Sequence, residues 1–172
     1  MITLFEELLD RLVTDQVKFV VAGGLAVCLN GWVRVTDDVD ILIDNSSANI
    51  ERLTRCLADF GEGHGADLTP DDLTNEPGAV RICEEFILDL FVQMSGKTLA
   101  EFTPWIGHYR LPSGNEVPFL LPEGLIQTKL GSVRQKDKSD IAALQDILHA
   151  RRTNKPPEDF TLDSVRSDQN PD

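Results

Sequence analysis

The sequence predicts an α/β or α+β fold, in which a mixed β-sheet is flanked by helices and a helical part closes the chain. Three observations support this prediction. Apolar residues alternate between strand spacing and helix spacing through the first half of the chain. Hairpin-like strands follow, and two helical patterns come last. Strands and helices in this order pack as a sheet covered by helices.

The first half of the chain alternates helix and strand patterns around a glycine turn. Residues 3–15 have an apolar stripe at helical spacing, and the run KFVVA over 18–22 predicts a strand. That strand stops at Gly23 and Gly24, and the residues after them, LAVCLNGW, have helical spacing. The segment DVDILID over 38–44 alternates acidic and apolar residues, which predicts a strand with one buried face.

The second half of the chain adds a helix, a long loop, further strands and the terminal helices. The segment over 47–60 is a predicted helix closed by Gly61, and 62–78 is predicted as loop. Two strands are predicted over 79–83 and 86–93, and a hairpin over 106–120. Two helices are predicted over 122–133 and 137–152. The hairpin turns within LPSGN, because proline and glycine favour a tight turn.

The length of 172 residues fits one domain with a real hydrophobic core. We expect a single domain over residues 1–155, with a sheet core over 16–121 and C-terminal helices over 122–155. Residues 156–172 combine Pro, Asp, Ser and Asn with little apolar content, which predicts a mobile acidic tail.

The charge balance limits the partners of the chain. The formal net charge is −13, so most of the surface repels polyanions such as nucleic acids. Residues 123–155 are an exception, with 7 basic and 4 acidic side chains, and any nucleic-acid contact should be confined to them. Three cysteines without a CxxC pair, no export signal and no bilayer-length apolar run predict a cytoplasmic protein with no membrane partner.

Two motifs in residues 23–40 predict a phosphate and metal site. Gly23 and Gly24 let the backbone approach a phosphate, and the helix after them offers free N–H groups, although a simple tight turn uses the same residues. Asp38 and Asp40 lie two apart on a predicted strand, so both carboxylates leave one face, with Cα atoms roughly 6 to 7 Å apart. Such carboxylates repel each other unless a cation compensates them, and magnesium (Mg2+) suits the pair. The alternative is a solvated strand face.

Asp89 is a candidate third acid. It interrupts the apolar run FILDLFVQ, and a buried aspartate needs a partner. If its strand lies beside DVDILID, Asp89 completes a three-carboxylate cluster suited to two Mg2+ ions roughly 4 Å apart, with Mn2+ as a substitute. The alternative is an edge-strand aspartate that faces water.

Arranged along the chain, these motifs resemble the DNA polymerase β-type nucleotidyltransferase signature, which has a GG or GS turn, a DxD pair and a distant third acid. They resemble more closely the AbiEii-like nucleotidyltransferases, the toxins of type IV toxin–antitoxin systems. The first motif of that family, GGxA...RxTxDxD, is matched by Gly23, Gly24, Arg34, Thr36, Asp38 and Asp40. The other three motifs, the last of them RxKDxxD, are matched by Asp89 in ILD, by Lys129, and by Arg134, Lys136, Asp137 and Asp140.

The resemblance implies the nucleotidyltransferase fold and a Mg2+-dependent enzyme that moves a nucleoside monophosphate from a nucleoside triphosphate to a hydroxyl acceptor. It implies that the three aspartates hold two metal ions, that Asp89 accepts the proton of the acceptor hydroxyl, and that the other matched residues contact the nucleotide. Lys129, Arg34 and Lys136 would offset the charge on the leaving pyrophosphate. The acceptor would be a tRNA 3' end or a protein, and an antitoxin protein would be a partner.

Other interpretations stay open. Arg34 could pair with Asp38 or Asp40, and Asp137 could cap the last helix with Asp140 at its N3 position. The acceptor could be a small molecule such as an aminoglycoside or lincosamide antibiotic, whose cationic members suit an acidic cleft. A catalytically silent module that binds a nucleotide or a protein partner would retain the same scaffold.

Overall fold

The computed structural model describes residues 4–153, and within them one six-stranded sheet is flanked by helices. The strands are β1 (Phe19–Val21), β2 (Asp38–Ile43), β3 (Val80–Cys83), β4 (Ile87–Phe91), β5 (Ile106–Arg110) and β6 (Glu116–Leu120). The helices are α1 (Leu4–Thr14), α2 (Gly23–Leu29), α3 (Ser47–Leu57), α4 (Leu99–Phe102), α5 (Pro122–Lys129) and α6 (Gln135–Arg152). None of these helices is long and apolar enough to cross a bilayer. The predicted tail over 156–172 lies outside the described residues.

The sheet is mixed, with the strand order β3-β4-β2-β1-β6-β5. Antiparallel pairs form between β1 and β2, between β3 and β4, and between β5 and β6. The pairs β2–β4 and β1–β6 are parallel. The predicted class, a mixed sheet flanked by helices, is confirmed. The two strands that contain the predicted acids, β2 and β4, are therefore direct neighbours.

The core forms where the apolar face of α1 and the central strands meet. In α1, Leu8, Leu9 and Leu12 recur at helical spacing and are almost completely buried. Full burial of one such side chain stabilises the fold by about 1.5–3 kcal/mol. Strand β1 is buried along its whole length, between β2 and β6. Because β1 ends just before Gly23, the glycine turn is anchored on the buried centre of the sheet.

The boundaries of α5 and α6 differ from the predicted ones where they affect the site. α5 ends at Lys129, four residues earlier than expected, and α6 begins at Gln135 with Arg134 in the N-cap position. The interpretation of Asp137 as the N-cap is wrong. Its carboxylate instead accepts hydrogen bonds from Ser132 and Lys129, which use the oxygens that a cap would need.

Candidate active site

Three aspartates selected from the sequence lie on one face of the sheet. Asp38 and Asp40 are two residues apart on β2, so their side chains leave the same face. β4 runs parallel to β2, and its Asp89 is the register partner of Asp40. All three side chains therefore face the same side, although they come from distant parts of the chain.

The double-glycine turn packs directly against Asp40. Gly23 has a φ of +55°, a left-handed conformation that favours glycine, and a Cβ at this position would overlap the Asp40 carboxylate. The N–H of Gly24 donates a hydrogen bond to the same carboxylate. A Cβ at Gly24 would lie 2.6 Å from Oγ1 of Thr36. Gly23 thus lets the Asp40 carboxylate lie against the turn, and Gly24 leaves room for the side chains of Arg34 and Thr36.

Thr36 orients Asp38. Its hydroxyl donates to Oδ1 of Asp38 at 2.8 Å, and only 5% of the threonine is exposed. A buried hydroxyl in this position holds the carboxylate in one orientation. Thr36 is not among the residues that line the cleft described below, so it contacts the site through Asp38.

The surroundings of Asp40 fit a divalent cation. Burial, together with the charges of Asp38 and Asp89, raises the pKa of Asp40 to about 6. Lys129 and the Gly24 N–H offset only part of this effect. Carboxylate oxygens are the ligands that Mg2+ prefers, and a divalent ion beside this strand would favour the ionised form of Asp40.

Asp89 is held by Arg81, a residue that the sequence motifs do not include. Arg81 of β3 is the register partner of Asp89, and its Nε and Nη2 lie 2.8 and 2.7 Å from the two carboxylate oxygens. These hydrogen bonds, and the charge of Asp89, raise the pKa of Arg81. The interpretation of Asp89 as an edge-strand residue facing water is wrong, because β4 has neighbours on both sides and the aspartate is buried.

The three aspartates do not form a closed set of ligands in this structure. Within residues 4–153, one group of three acidic, histidine or cysteine side chains has its ligating atoms all within 4.8 Å of one another, and it comprises Glu62, His64 and Glu84. Asp38, Asp40 and Asp89 do not offer three oxygens that all lie within that limit of one another. Both of its oxygens are engaged with Arg81.

Lys129, Arg34 and the RxKDxxD segment form an ion-pair network. Nζ of Lys129 lies 2.9 Å from Oδ1 of Asp137 and 2.9 Å from Oδ2 of Asp140. Nε of Arg34 lies 3.0 Å from Oδ1 of Asp140, so Arg34 pairs with α6 rather than with the acids of β2. Burial alone would raise the pKa of Asp137, but hydrogen bonds from Ser132 and Lys129 lower it overall. The network ties α5, α6 and the segment before β2 together.

A cleft of about 380 Å³ opens over the acidic face. Its lining includes most of the predicted site residues, namely Gly23, Gly24, Arg34, Asp38, Asp40, Asp89, Lys129, Arg134, Lys136 and Asp137, together with Arg81. Arg134 and Lys136 are exposed, and within the described part of the chain neither forms an ion pair. Thr36 and Asp140 lie outside the lining. The cleft thus combines an acidic floor with two free cations.

A second cavity of about 320 Å³ adjoins this cleft. Asp40, Gly23 and Lys129 are among the residues that line both spaces. The residues that line only the second cavity are uncharged, and they are Pro77, Gly78, Gln93, Met94, Ser95, Gly96 and Thr128. Its lining is therefore a mixture of apolar, polar and charged groups, and its volume lies in the range of pockets for small molecules.

Comparisons with known proteins identify the fold. No family model matches the chain, and no curated protein matches its sequence. A solved structure that does match is the lincosamide antibiotic adenylyltransferase LnuA with lincomycin bound. The match has a TM-score of 0.56 and 18% sequence identity, and it covers 84% of this chain and 96% of that chain. The chain has the nucleotidyltransferase fold.

On this nucleotidyltransferase fold, Arg81 and the second cavity are the features that the sequence motifs missed. Arg81 lies in the short strand VRIC, where it is the only charged residue. Its position could have suggested a partner for a buried acid. That this acid is Asp89 follows from the register between β3 and β4. Neither strand's sequence alone determines that register.

Proposed function

We propose that the protein is a metal-dependent nucleotidyltransferase that transfers a nucleoside monophosphate from a nucleoside triphosphate to a hydroxyl group. The observation that supports this most strongly is the register pairing of Asp40 with Asp89, with Asp38 on the same face. This pairing brings metal-ligand and general-base chemistry into one cleft with free cations. The resemblance to AbiEii-like enzymes and the fold shared with an adenylyltransferase agree with the proposal.

Asp38 and Asp40 would hold the divalent metal, Mg2+ or Mn2+, with one oxygen of Asp89 as a further ligand. Bound there, the metal would neutralise phosphate charge and polarise the phosphoryl group under attack. Thr36 keeps Asp38 in one orientation, and the Gly24 N–H does the same for Asp40. These two contacts reduce the reorganisation that binding requires.

The remaining side chains of the cleft would bind the triphosphate and move the proton. Arg134 and Lys136 have no ion-pair partner within residues 4–153, so they are free to bind phosphate oxygens. Lys129 and Arg34 are already paired with aspartates, and we assign them mainly to shaping the cleft. The Asp89 carboxylate would accept the proton of the acceptor hydroxyl as the oxygen attacks the α-phosphate and pyrophosphate leaves.

We propose a small hydroxyl-bearing molecule as the acceptor. The adjoining 320 Å³ cavity has the size of a small-molecule pocket. The net charge of −13 disfavours a polyanionic acceptor. The structural neighbour is a lincosamide adenylyltransferase bound to lincomycin. A tRNA 3' end or a protein, with an antitoxin as a partner, is the second candidate, and the RxKDxxD resemblance supports it.

A transfer assay tests both the activity and the acceptor. Each α-labelled nucleoside triphosphate is incubated with protein, Mg2+ and one acceptor from a panel of lincosamides, aminoglycosides, total tRNA and proteins. Label on a small molecule, with release of pyrophosphate, is the expected result. The Asp40→Asn variant should lose transfer, whereas the matched control Asp37→Asn, an exposed aspartate one residue before β2, should retain it.

The same assay separates the competing functions. Label that appears only on tRNA or protein would refute a small-molecule acceptor and support the toxin-like function. Binding of the triphosphate and Mg2+ in calorimetry, with no release of pyrophosphate for any acceptor, would indicate a catalytically silent module. Transfer that persists fully in Asp40→Asn would refute the assignment of the acidic face.

A further inference from the structure

Arg81 and Asp89 form an ion pair whose two side chains differ in exposure to solvent. Both oxygens of Asp89 accept hydrogen bonds from one guanidinium, which leaves little of the carboxylate free for another ligand. The Arg81 side chain is 56% exposed, whereas that of Asp89 is only 8% exposed. The arginine can therefore move into solvent, while the buried aspartate stays at the cleft and then needs another cation.

The position of Arg81 on the sheet adds to this asymmetry. Among residues 4–153, β3 is an edge strand that pairs with β4 alone, so its side chains have a neighbouring strand on one side. Arg81 also lines the cleft beside Asp38 and Asp40. A guanidinium there is attracted by the same group of carboxylates that would attract a divalent ion.

The geometry points to Arg81 as an internal competitor of the divalent metal. We propose that its guanidinium occupies both oxygens of Asp89 in the metal-free protein and so withholds this carboxylate from a metal held by Asp38 and Asp40. Metal binding then requires Asp89 to exchange Arg81 for the metal, so Arg81 sets the metal affinity of the cleft. This inference rests on the proposed function, because it assumes that the acidic face binds a divalent ion.

A purely supporting role for Arg81 predicts the opposite change in metal affinity when Arg81 is removed. If Arg81 acted only as a support that keeps Asp89 in its productive position, removing it would weaken metal binding. If it competes, removing it frees both Asp89 oxygens and deletes a positive charge from the cleft. Loss of one unit of positive charge from the cleft should tighten metal binding about tenfold.

Mn2+ binding in the absence of nucleotide shows whether replacing Arg81 raises or lowers the metal affinity. The dissociation constant is obtained by electron paramagnetic resonance for the wild type, Arg81→Met and Arg81→Lys. Arg81→Met should bind Mn2+ about tenfold more tightly, and Arg81→Lys, which keeps the charge but loses the bidentate geometry, should lie between. The matched control is Arg110→Met, an exposed arginine on β5 at the other edge of the sheet, which should leave the constant unchanged.

Each outcome decides one assignment. Unchanged or weaker Mn2+ binding in Arg81→Met, with binding still abolished by Asp40→Asn, would overturn the competitor role and leave the proposed metal site intact. No Mn2+ binding in any variant would overturn both the competitor role and the proposed metal site.

If Arg81→Met does not fold, the wild type still tests the competitor role, because the Nε–H resonance of Arg81 should lose its hydrogen-bonded shift when Mg2+ is added. A shift that Mg2+ leaves unaltered, at concentrations that saturate the protein, would also overturn the proposal.

Discussion

Asp40 of β2 and Asp89 of β4 are opposite each other in the register of two parallel strands. Burial of Asp40, together with the charges of Asp38 and Asp89, raises the pKa of Asp40. Asp89 has Arg81 as a close counter-ion, whereas Asp40 has only partial compensation from Lys129 and a backbone N–H. The metal-free protein therefore retains an unfavourable charge at the position where a cation would bind.

The first prediction concerns the pH dependence of stability at Asp40. Its carboxyl has a pKa of about 6 in the folded protein and about 3.9 in an unfolded chain. Between these values the folded state binds more protons, so this group lowers the free energy of unfolding as pH rises from about 4 to 6. Above pH 6 the full loss in the free energy of unfolding remains, and Asp40→Asn should remove this loss.

Urea unfolding in EDTA measures this effect. At pH 7.5, Asp40→Asn should be more stable than the wild type by about 1–3 kcal/mol, and at pH 4.5 the difference should be much smaller. Asp37→Asn serves as the exposed control and should show little change at either pH. An equal stability difference at both pH values would contradict the electrostatic origin.

The second prediction concerns the hydroxyl of Thr36. Replacing Thr36 by Val keeps the shape of the side chain but removes the hydrogen bond to Asp38. Because such contacts orient metal ligands, Mn2+ affinity should fall about tenfold. Thr36→Ser keeps the hydroxyl and should restore most of the affinity. Equal affinities in the two variants would mean that Thr36 serves only as packing.

The third prediction concerns Asp140, which joins Lys129 and Arg34. Its side chain is 1% exposed, so Asp140→Asn leaves the buried Lys129 and the half-buried Arg34 with less compensation and should lower the free energy of unfolding by about 3 kcal/mol. Asp146→Asn changes an exposed aspartate of the same helix and should have little effect. Similar urea midpoints for the two variants would show that the network contributes no stability.

The acidic face could be predicted because its determinants are local. The alternation in DVDILID fixes the face of Asp38 and Asp40, and an aspartate in the apolar run FILDLFVQ requires a polar environment. A basic partner could also satisfy the aspartate, but neighbouring strands place all three acids on one face of the sheet. The structure has that arrangement.

The partners of the cations could not be predicted because they depend on contacts between distant segments. Lys129 is near the end of α5, and it pairs with α6 only because the intervening loop turns the chain back. Arg34 reaches Asp140 across more than a hundred residues of sequence. α4 is a further omission, because its four residues are too few to show a helical repeat.

The last prediction concerns the two free cations of the cleft. Arg134 and Lys136 line the cleft near its acidic floor, so each should form charge-assisted hydrogen bonds with the phosphates. Replacing either by Ala should weaken binding of a nonhydrolysable nucleoside triphosphate analogue about tenfold in Mg2+ calorimetry, and high salt should reduce the difference. Lys138→Ala is the matched control, since Lys138 is exposed on the same helix but does not line the cleft. An equal loss in all three variants would indicate a general charge effect instead of specific phosphate contacts.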